Sequence, residues 1–141
     1  MKSFFDTNVL VYLFDQDSPE KKTVVQKIFE KDASAGAVLL STQVLQEFYV
    51  TVTRKLGQPL KPETALDVIR KFAVLPVVVV DIALVLSAVE RSQKDSISFW
   101  DSLIINAALK GGAQRLWSED LQHGRTVNGM RIENPFFNTK P

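Results

Sequence analysis

Four acidic residues occupy positions from which side chains can act together: Asp6, Glu47, Asp101 and Asp120. Asp6 and Asp120 follow short apolar runs that predict strands, and polar residues at the carboxyl ends of parallel strands collect at one edge of a sheet. Glu47 and Asp101 fall near the beginnings of predicted helices. Carboxylates that share a crevice repel one another unless a cation neutralises them, so the pattern predicts a carboxylate metal site.

The ligand types restrict which metal such a site takes. The chain has no cysteine and a single histidine, His123. This excludes a thiolate zinc site, an imidazole-rich site, a disulfide scaffold and a thiol nucleophile. Carboxylates alone suit Mg²⁺ or Mn²⁺. Such an ion lowers the pKa of a bound water and stabilises charge on phosphate oxygens, which is the chemistry of phosphodiester hydrolysis.

Each acid also has a purely structural interpretation. Asp101 lies three residues after Ser98, the spacing of a capping box, and Asp6 is in a position to cap the helix that follows it. Glu47 favours a functional interpretation, because it lies on the apolar side of its predicted helix and buried glutamates are rare without a partner. Glu119 and Asp120 resemble ordinary loop residues when considered singly.

The aromatic and imidazole side chains are given structural interpretations. Trp100 and Trp117 each border an apolar run, so both are predicted to be core residues rather than platforms for stacked bases. His123 is predicted to lie in a loop or at the surface, with no part in catalysis.

Composition predicts one globular domain over residues 1–141. The chain is 45% hydrophobic and 23% charged, with 17 Lys plus Arg against 16 Asp plus Glu and a net charge of +1. A nucleic-acid partner would therefore need a local basic patch, for which the candidates are Arg54, Lys55, Arg91, Lys94 and Arg125. No membrane span and no secretory leader is predicted, and the expected location is the cytoplasm.

Short apolar runs alternate with stretches of helical period, which predicts an α/β fold. Strands are predicted at residues 2–5, 37–40, 77–80 and 115–118, with a hairpin or added strand at 126–132 around Asn128-Gly129. Helices are predicted between these runs, with capping residues at Ser18, Ser41 or Thr42, Asp81 and Ser98 and a proline start at Pro62. The expected total is four or five strands and about six helices.

Four motifs in this order resemble those of the PIN domain, the ribonuclease domain of VapC-type toxins in toxin–antitoxin pairs. They are Phe5-Asp6-Thr7-Asn8-Val9-Leu10, Ser41 through Glu47-Phe48, Ser98-Phe99-Trp100-Asp101-Ser102-Leu103-Ile104, and Leu116-Trp117-Ser118-Glu119-Asp120-Leu121 with Gly124. The ending Asn134-Pro135-Phe136 is also similar to that of these toxins. The resemblance spans nearly the whole chain.

The resemblance implies a three-layer α/β/α sandwich with a central, mostly parallel sheet. It implies that Asp6, Glu47, Asp101 and Asp120 bind Mg²⁺ or Mn²⁺ and catalyse RNA hydrolysis. The supporting residues it implies are Thr7, Asn8, Ser118 and Glu119. It further implies a homodimer and a cognate antitoxin that covers the acidic groove.

Three other functions are weighed. A housekeeping RNA-processing PIN nuclease shares the motifs but more often carries further domains. A catalytically silent binding module would have lost one or more of the acids, and all four are present. A haloacid-dehalogenase-like phosphatase places a second aspartate two positions after the first, where this chain has Asn8.

Overall fold

A computed structural model describes residues 1–137 of the chain. Residues 138–141, the end of the predicted domain, lie outside the described residues. The strands are β1 (Ser3–Phe5), β2 (Val38–Ser41), β3 (Val77–Val78), β4 (Arg115–Trp117), β5 (Thr126–Val127) and β6 (Met130–Glu133). The helices are α1 (Thr7–Val11), α2 (Pro19–Ser34), α3 (Thr42–Arg54), α4 (Pro62–Phe72), α5 (Ile82–Asp95) and α6 (Phe99–Lys110), with one turn of 3-10 helix at Tyr12–Phe14.

The strands form one sheet in the order β3-β2-β1-β4-β6-β5. Neighbouring strands are parallel except for β5 and β6, which are antiparallel. The predicted α/β class and mostly parallel sheet are therefore confirmed. The described part of the chain has six strands rather than four or five, because both arms of the terminal hairpin join the sheet. Its turn residues Asn128 and Gly129 have φ values of 48° and 85°, which this pair tolerates well.

Both faces of the sheet are covered. Phe4 and Phe5 are consecutive in β1, so their side chains point to opposite faces, and both are 0% exposed. Every residue of β2 is buried as well. The helices therefore enclose the sheet from both sides, as the predicted three-layer sandwich requires.

A row of aromatic rings connects the sheet to helices α2, α4 and α3 and to the 3-10 turn. Phe5 packs edge to face against Phe29, Phe29 against Phe72, Phe72 against Phe48, and Phe48 against Phe14. The ring centroids of these pairs are 5.4, 5.9, 5.3 and 5.6 Å apart, in the range where such pairs attract. This packing fixes the end of β1, the strand that precedes Asp6.

Side-chain caps define where several helices begin, as predicted. Ser41 accepts a hydrogen bond from the Val44 amide at the start of α3, and Asp81 accepts one from the Leu84 amide at the start of α5. Ser18 precedes Pro19 at the start of α2, but its side chain makes no capping hydrogen bond. There the proline alone marks the first turn.

The strand predicted at residues 77–80 is shorter than expected. β3 contains only Val77 and Val78 and lies at the edge of the sheet, where it pairs with β2 alone. Val79 is 63% exposed, and the Val80 amide donates to the Thr42 hydroxyl instead of to a strand. The chain must turn here because Asp81 caps α5, so tertiary position overrides the β propensity of four valines.

Helix α5 also carries apolar side chains that face solvent. Ile82 is 80% exposed and Leu86 59%, and Val85 and Val89 are exposed as well. Within residues 1–137, none of the helices combines the length and apolar character that crossing a bilayer requires.

Candidate active site

Asp6 lies at the carboxyl end of β1 and caps α1. Its carboxylate accepts hydrogen bonds from the Thr7 amide at 2.7 Å and from the Ser118 hydroxyl at 2.9 Å. The pKa of Asp6 is raised to about 6, mainly by burial and to a smaller extent by the negative charges of Asp120 and Glu47. The two hydrogen bonds act in the opposite direction, because they stabilise the charged carboxylate.

The pairing of β1 with β4 brings Ser118 to Asp6. Phe5 lies opposite Trp117 in the parallel register, and the Asp6 amide donates to the Trp117 carbonyl oxygen at 3.0 Å. Ser118 is the next residue after β4 and is fully buried. The carboxyl ends of two neighbouring strands therefore supply one acid and the hydroxyl that orients it, as predicted.

Glu47 projects from the second turn of α3 and is partly buried. Its Oε1 accepts a hydrogen bond from the Thr7 hydroxyl at 2.6 Å, and its Oε2 accepts one from Gln43 Nε2 at 3.3 Å. The predicted inward face of this helix is confirmed by Val44 and Phe48, which are both 0% exposed. Glu47 therefore has the partners that a carboxylate on this face needs.

Asp101 is the third residue of α6. Its amide donates to the Ser98 hydroxyl at 3.0 Å, which confirms Ser98 as the helix cap. Within residues 1–137, the Asp101 carboxylate has no hydrogen-bond or ion-pair partner, so it does not complete a capping box. This side chain is free to bind a ligand.

Asp120 lies in the loop after β4 and is exposed. Its Oδ2 accepts a hydrogen bond from Asn8 Nδ2 at 2.9 Å. Three of the predicted supporting residues, Thr7, Asn8 and Ser118, therefore each donate a side-chain hydrogen bond to a different acid.

One groove of about 530 Å³ contains all four acids in its lining. This volume falls in the range of pockets that bind small organic molecules. Its lining residues are Asp6, Thr7, Asn8, Gln43, Gln46, Glu47, Val50, Thr51, Lys55, Trp100, Asp101, Ile104 and Asp120. Between Met1 and Phe137, no three carboxylate or imidazole side chains lie close enough together to hold a metal ion. The four acids share a groove, in which Asp6, Glu47 and Asp120 accept hydrogen bonds from different donors.

Glu119, also predicted as a supporting residue, does not line this groove. Its carboxylate accepts a hydrogen bond from the Tyr12 hydroxyl at 2.6 Å and forms an ion pair with Lys21. The Lys21 ammonium lies 4.9 Å from the centroids of both the Tyr12 and Phe136 rings. The hydrogen bond to Glu119 raises the pKa of Lys21 above its usual range. These contacts turn Glu119 away from the acids.

The structure also shows groove residues that sequence reasoning missed. Gln43 is 4% exposed, and its Oε1 is buried without a hydrogen-bond partner in the described part of the chain. It precedes Glu47 by one helical turn, and this spacing alone would have placed the two side chains together. Lys55 is the one predicted basic candidate that lines the groove.

The prediction that Trp100 is a core residue is wrong. Its side chain is 61% exposed and lines the groove, because Phe99 takes the inward position in the first turn of α6. Trp117 does pack against the core, and its Nε1 donates to Asp32 at 3.3 Å. His123 lies in a loop as predicted, where its Nδ1 accepts a hydrogen bond from the Asn134 amide at 3.0 Å.

Comparison with protein families gives one match, to the PIN domain, over residues 3–128. The chain belongs to the PIN domain family. The match contains all four acids and the supporting residues Thr7, Asn8 and Ser118 that hydrogen-bond to them. The sequence resemblance to PIN domains is therefore confirmed.

Relatives with closely similar length support this membership. Over 147 aligned positions, this PIN domain is 32% identical to Ribonuclease VapC48 of Mycobacterium tuberculosis, in two strains. The alignment covers 96% of this chain and 99% of that protein.

Solved structures share the PIN fold. VapC20 of M. tuberculosis, described as a sarcin-ricin loop cleaving toxin, superposes with a TM-score of 0.65 at 23% identity, over 84% of this chain and 90% of that one. The DNA-bound VapBC of Salmonella typhimurium gives 0.65 at 21% identity, with coverages of 96% and 98%. VapBC2 of Rickettsia felis, bound to a promoter DNA fragment, gives 0.67 at 18% identity, with coverages of 95% and 98%.

Proposed function

We propose that this PIN domain is an endoribonuclease that hydrolyses RNA phosphodiester bonds and is the toxin of a type II toxin–antitoxin pair. One observation carries the proposal: four carboxylates from four separate segments line a single groove. The identity to Ribonuclease VapC48 supports RNA as the substrate. We also propose a single domain over residues 1–141 that acts in the cytoplasm, where such a substrate is available.

We assign Asp6, Glu47, Asp101 and Asp120 as the ligands of Mg²⁺ or Mn²⁺ and as the catalytic residues. Their donors are all carboxylate oxygens, which fit a hard divalent ion. The raised pKa of Asp6 supports this assignment, because a cation bound beside a buried carboxylate and two other acids would stabilise its charged form. When bound, the ion supplies an activated water and positive charge at the phosphate.

The remaining residues orient the acids. Thr7 is central to this arrangement, because its amide holds Asp6 and its hydroxyl holds Glu47. Ser118 and Asn8 hold Asp6 and Asp120 in the same way. Each hydrogen bond restrains the orientation of the carboxylate that accepts it. Such partners raise both metal affinity and activity. We do not assign Glu119 to this set, because Tyr12 and Lys21 already bind it.

Two protein partners are part of the proposal. The VapBC assemblies among the structural relatives support a cognate antitoxin, which would cover the acidic groove. A homodimer is supported by α5, on which Ile82 and Leu86 expose large apolar side chains four residues apart. Side chains at this spacing lie on one face of a helix, so they form a continuous apolar strip.

Cleavage of RNA by the purified chain tests the proposed function. We expect the wild type to cut members of a broad RNA panel with Mn²⁺ or Mg²⁺, and expect cutting to stop with EDTA or in Asp101→Asn. If no RNA is cut, calorimetry with Mn²⁺ follows. Binding of the ion would support an intact site with a narrow substrate range. Absence of both cleavage and binding would overturn the metal nuclease in favour of a silent binding module.

A further inference from the structure

Trp100 combines features that the site described above does not explain. It is 61% exposed, whereas the neighbouring Phe99 packs against the core. It lines the same groove as the four acids and immediately precedes Asp101. Leaving a large aromatic ring in water forfeits hydrophobic stabilisation, so its position indicates a binding contact.

Trp100 is held in place by one contact to its ring and one to its backbone. It packs edge to face on Phe99, with centroids 5.1 Å apart and an interplanar angle of 74°. Its backbone carbonyl accepts a hydrogen bond from Gln43 Nε2 at 3.5 Å, and the same nitrogen donates to Glu47. One buried amide therefore links the Trp100 backbone to a predicted metal ligand. The aromatic face and the acids occupy a defined relative position.

The chemistry around Trp100 favours a nucleotide as its partner. The groove offers carboxylates for a cation that attracts phosphate, and Lys55 adds a positive charge in the same lining. A nucleotide joins a negatively charged phosphate to a flat, largely apolar base. The phosphate matches the cation that the acidic residues would hold, and the base matches the exposed indole face. Proteins that bind unpaired RNA use aromatic rings in this way.

We propose that Trp100 is a nucleobase subsite, on which an unpaired base next to the scissile phosphate stacks. The proposal rests on the proposed ribonuclease function and adds to it a residue that contacts a base of the substrate. Every base has a π face, so this contact adds affinity with little preference among bases. A base inside a duplex is already stacked on its neighbours and is not available to the indole.

Binding to short RNAs tests the subsite. The protein is Asp6→Asn, which keeps the RNA intact, alone or combined with Trp100→Phe or Trp100→Ala. The probes are fluorescein-labelled oligouridylate and an abasic oligonucleotide of the same length and phosphate count. Binding is followed by anisotropy and by tryptophan fluorescence. Trp117 is the other tryptophan of the chain and packs against the core, so it supplies the background emission.

Stacking predicts a specific pattern. Trp100→Ala weakens oligouridylate binding about tenfold and leaves abasic binding unchanged, whereas Trp100→Phe keeps most of the affinity. Oligouridylate quenches the tryptophan fluorescence of the protein that retains Trp100. This quenching disappears in Trp100→Phe, although that variant still binds the oligonucleotide. With wild-type Asp6, Trp100→Ala raises KM for a cleaved RNA and leaves kcat nearly unchanged.

Several results would overturn the subsite. One is equal weakening of oligouridylate and abasic binding by Trp100→Ala. Another is unchanged binding together with a lower sedimentation mass, which would assign Trp100 to contact with a second copy. The cleavage assay on the wild-type chain separates this proposal from the proposed function: cleavage with an unchanged KM in Trp100→Ala removes the subsite only. Base-dependent quenching without either cleavage or Mn²⁺ binding would keep Trp100 as a base contact and remove the nuclease.

Discussion

The Thr7 hydroxyl lies 2.6 Å from Glu47 Oε1, and this contact joins a predicted metal ligand to a supporting residue 40 positions earlier in the sequence. Thr7 also donates its amide to Asp6. One residue therefore orients an acid from the end of β1 and an acid from α3. The distance is short for a hydroxyl donor, as expected when the acceptor is a carboxylate.

Removal of this hydroxyl should impair the site without dismantling the fold. Thr7→Val keeps the shape and leaves Glu47 without one donor, so we expect kcat/KM for RNA and Mn²⁺ affinity to fall roughly 10- to 100-fold. Thr7→Ser keeps the donor and serves as the matched control. Steady-state cleavage and calorimetry measure the two effects. A loss in Thr7→Ser as large as that in Thr7→Val would show that the hydroxyl donor, which serine keeps, does not by itself account for the effect.

The raised pKa of Asp6 predicts how stability depends on pH in the absence of metal. Its ordinary value of 3.8 rises to about 6 in the folded protein. Between these values the folded state binds more protons than the unfolded state, so the free energy of unfolding falls as pH rises and levels off above pH 6.

Asp6→Asn should abolish this dependence together with cleavage. We expect the free energy of unfolding of the variant to exceed that of the wild type by roughly 1 to 3 kcal/mol at pH 8. The difference should be much smaller at pH 4. Urea unfolding in EDTA at both pH values measures it. Asp67→Asn is the control, because that side chain is 70% exposed in its ion pair. An Asp6→Asn variant no more stable than wild type at pH 8 would argue against a buried charge.

Substitutions at Asp101 and Ser98 distinguish a catalytic role of Asp101 from a role in capping α6. Asp101→Asn should lower kcat by more than about 100-fold and change the free energy of unfolding by less than about 0.5 kcal/mol. Ser98→Ala removes the cap hydroxyl and should destabilise the protein by about 1 kcal/mol while most activity remains. Cleavage kinetics and thermal unfolding are compared for both variants. The reverse pattern would assign Asp101 to helix structure.

The exposed face of α5 should control the oligomeric state. Leu86→Glu places a charge in the apolar strip, so we expect the proposed dimer to dissociate into monomers with the fold unchanged. Gln58→Glu adds the same charge at an exposed position outside α5 and should leave the dimer intact. Analytical ultracentrifugation measures the mass of each variant. A dimeric Leu86→Glu would place the interface elsewhere.

Glu119 should prove structural rather than catalytic. Glu119→Gln removes the charge that Lys21 binds, so we expect a loss of about 1 kcal/mol in stability and a change in kcat/KM of less than about threefold. Asp120→Asn, one position away, should behave oppositely and inactivate the enzyme. Inactivation by both substitutions would return Glu119 to the metal site.

Local rules predict much of the site. Asp6 and Asp120 follow strands, and Ser98 caps the helix that carries Asp101, so strand ends and caps were sufficient to place these acids. Glu47 was predicted from its position on an apolar helix face. The α/β class followed from alternating apolar runs and helical periods, which depend on the same short-range patterns.

Tertiary packing determines which side chains are exposed and where β3 ends, and the sequence pattern alone does not predict either. Trp100 and Phe99 are adjacent aromatics in one helical turn, and only the packing of α6 against the sheet determines which of them faces the groove. Ile82 and Leu86 have the pattern of a buried face, yet in the isolated chain nothing covers them within the described residues. Val79 leaves the sheet because β3 is at an edge and the next helix must begin.

The place of β1 in the middle of the sheet has a consequence for biosynthesis. β1 is synthesised before its partner β4, and the Ser118 hydroxyl that orients Asp6 comes 112 positions after that acid. Pairing of such distant strands has to wait for the later segment to be made. The proposed nuclease site is therefore completed only after β4 and Ser118 have been synthesised.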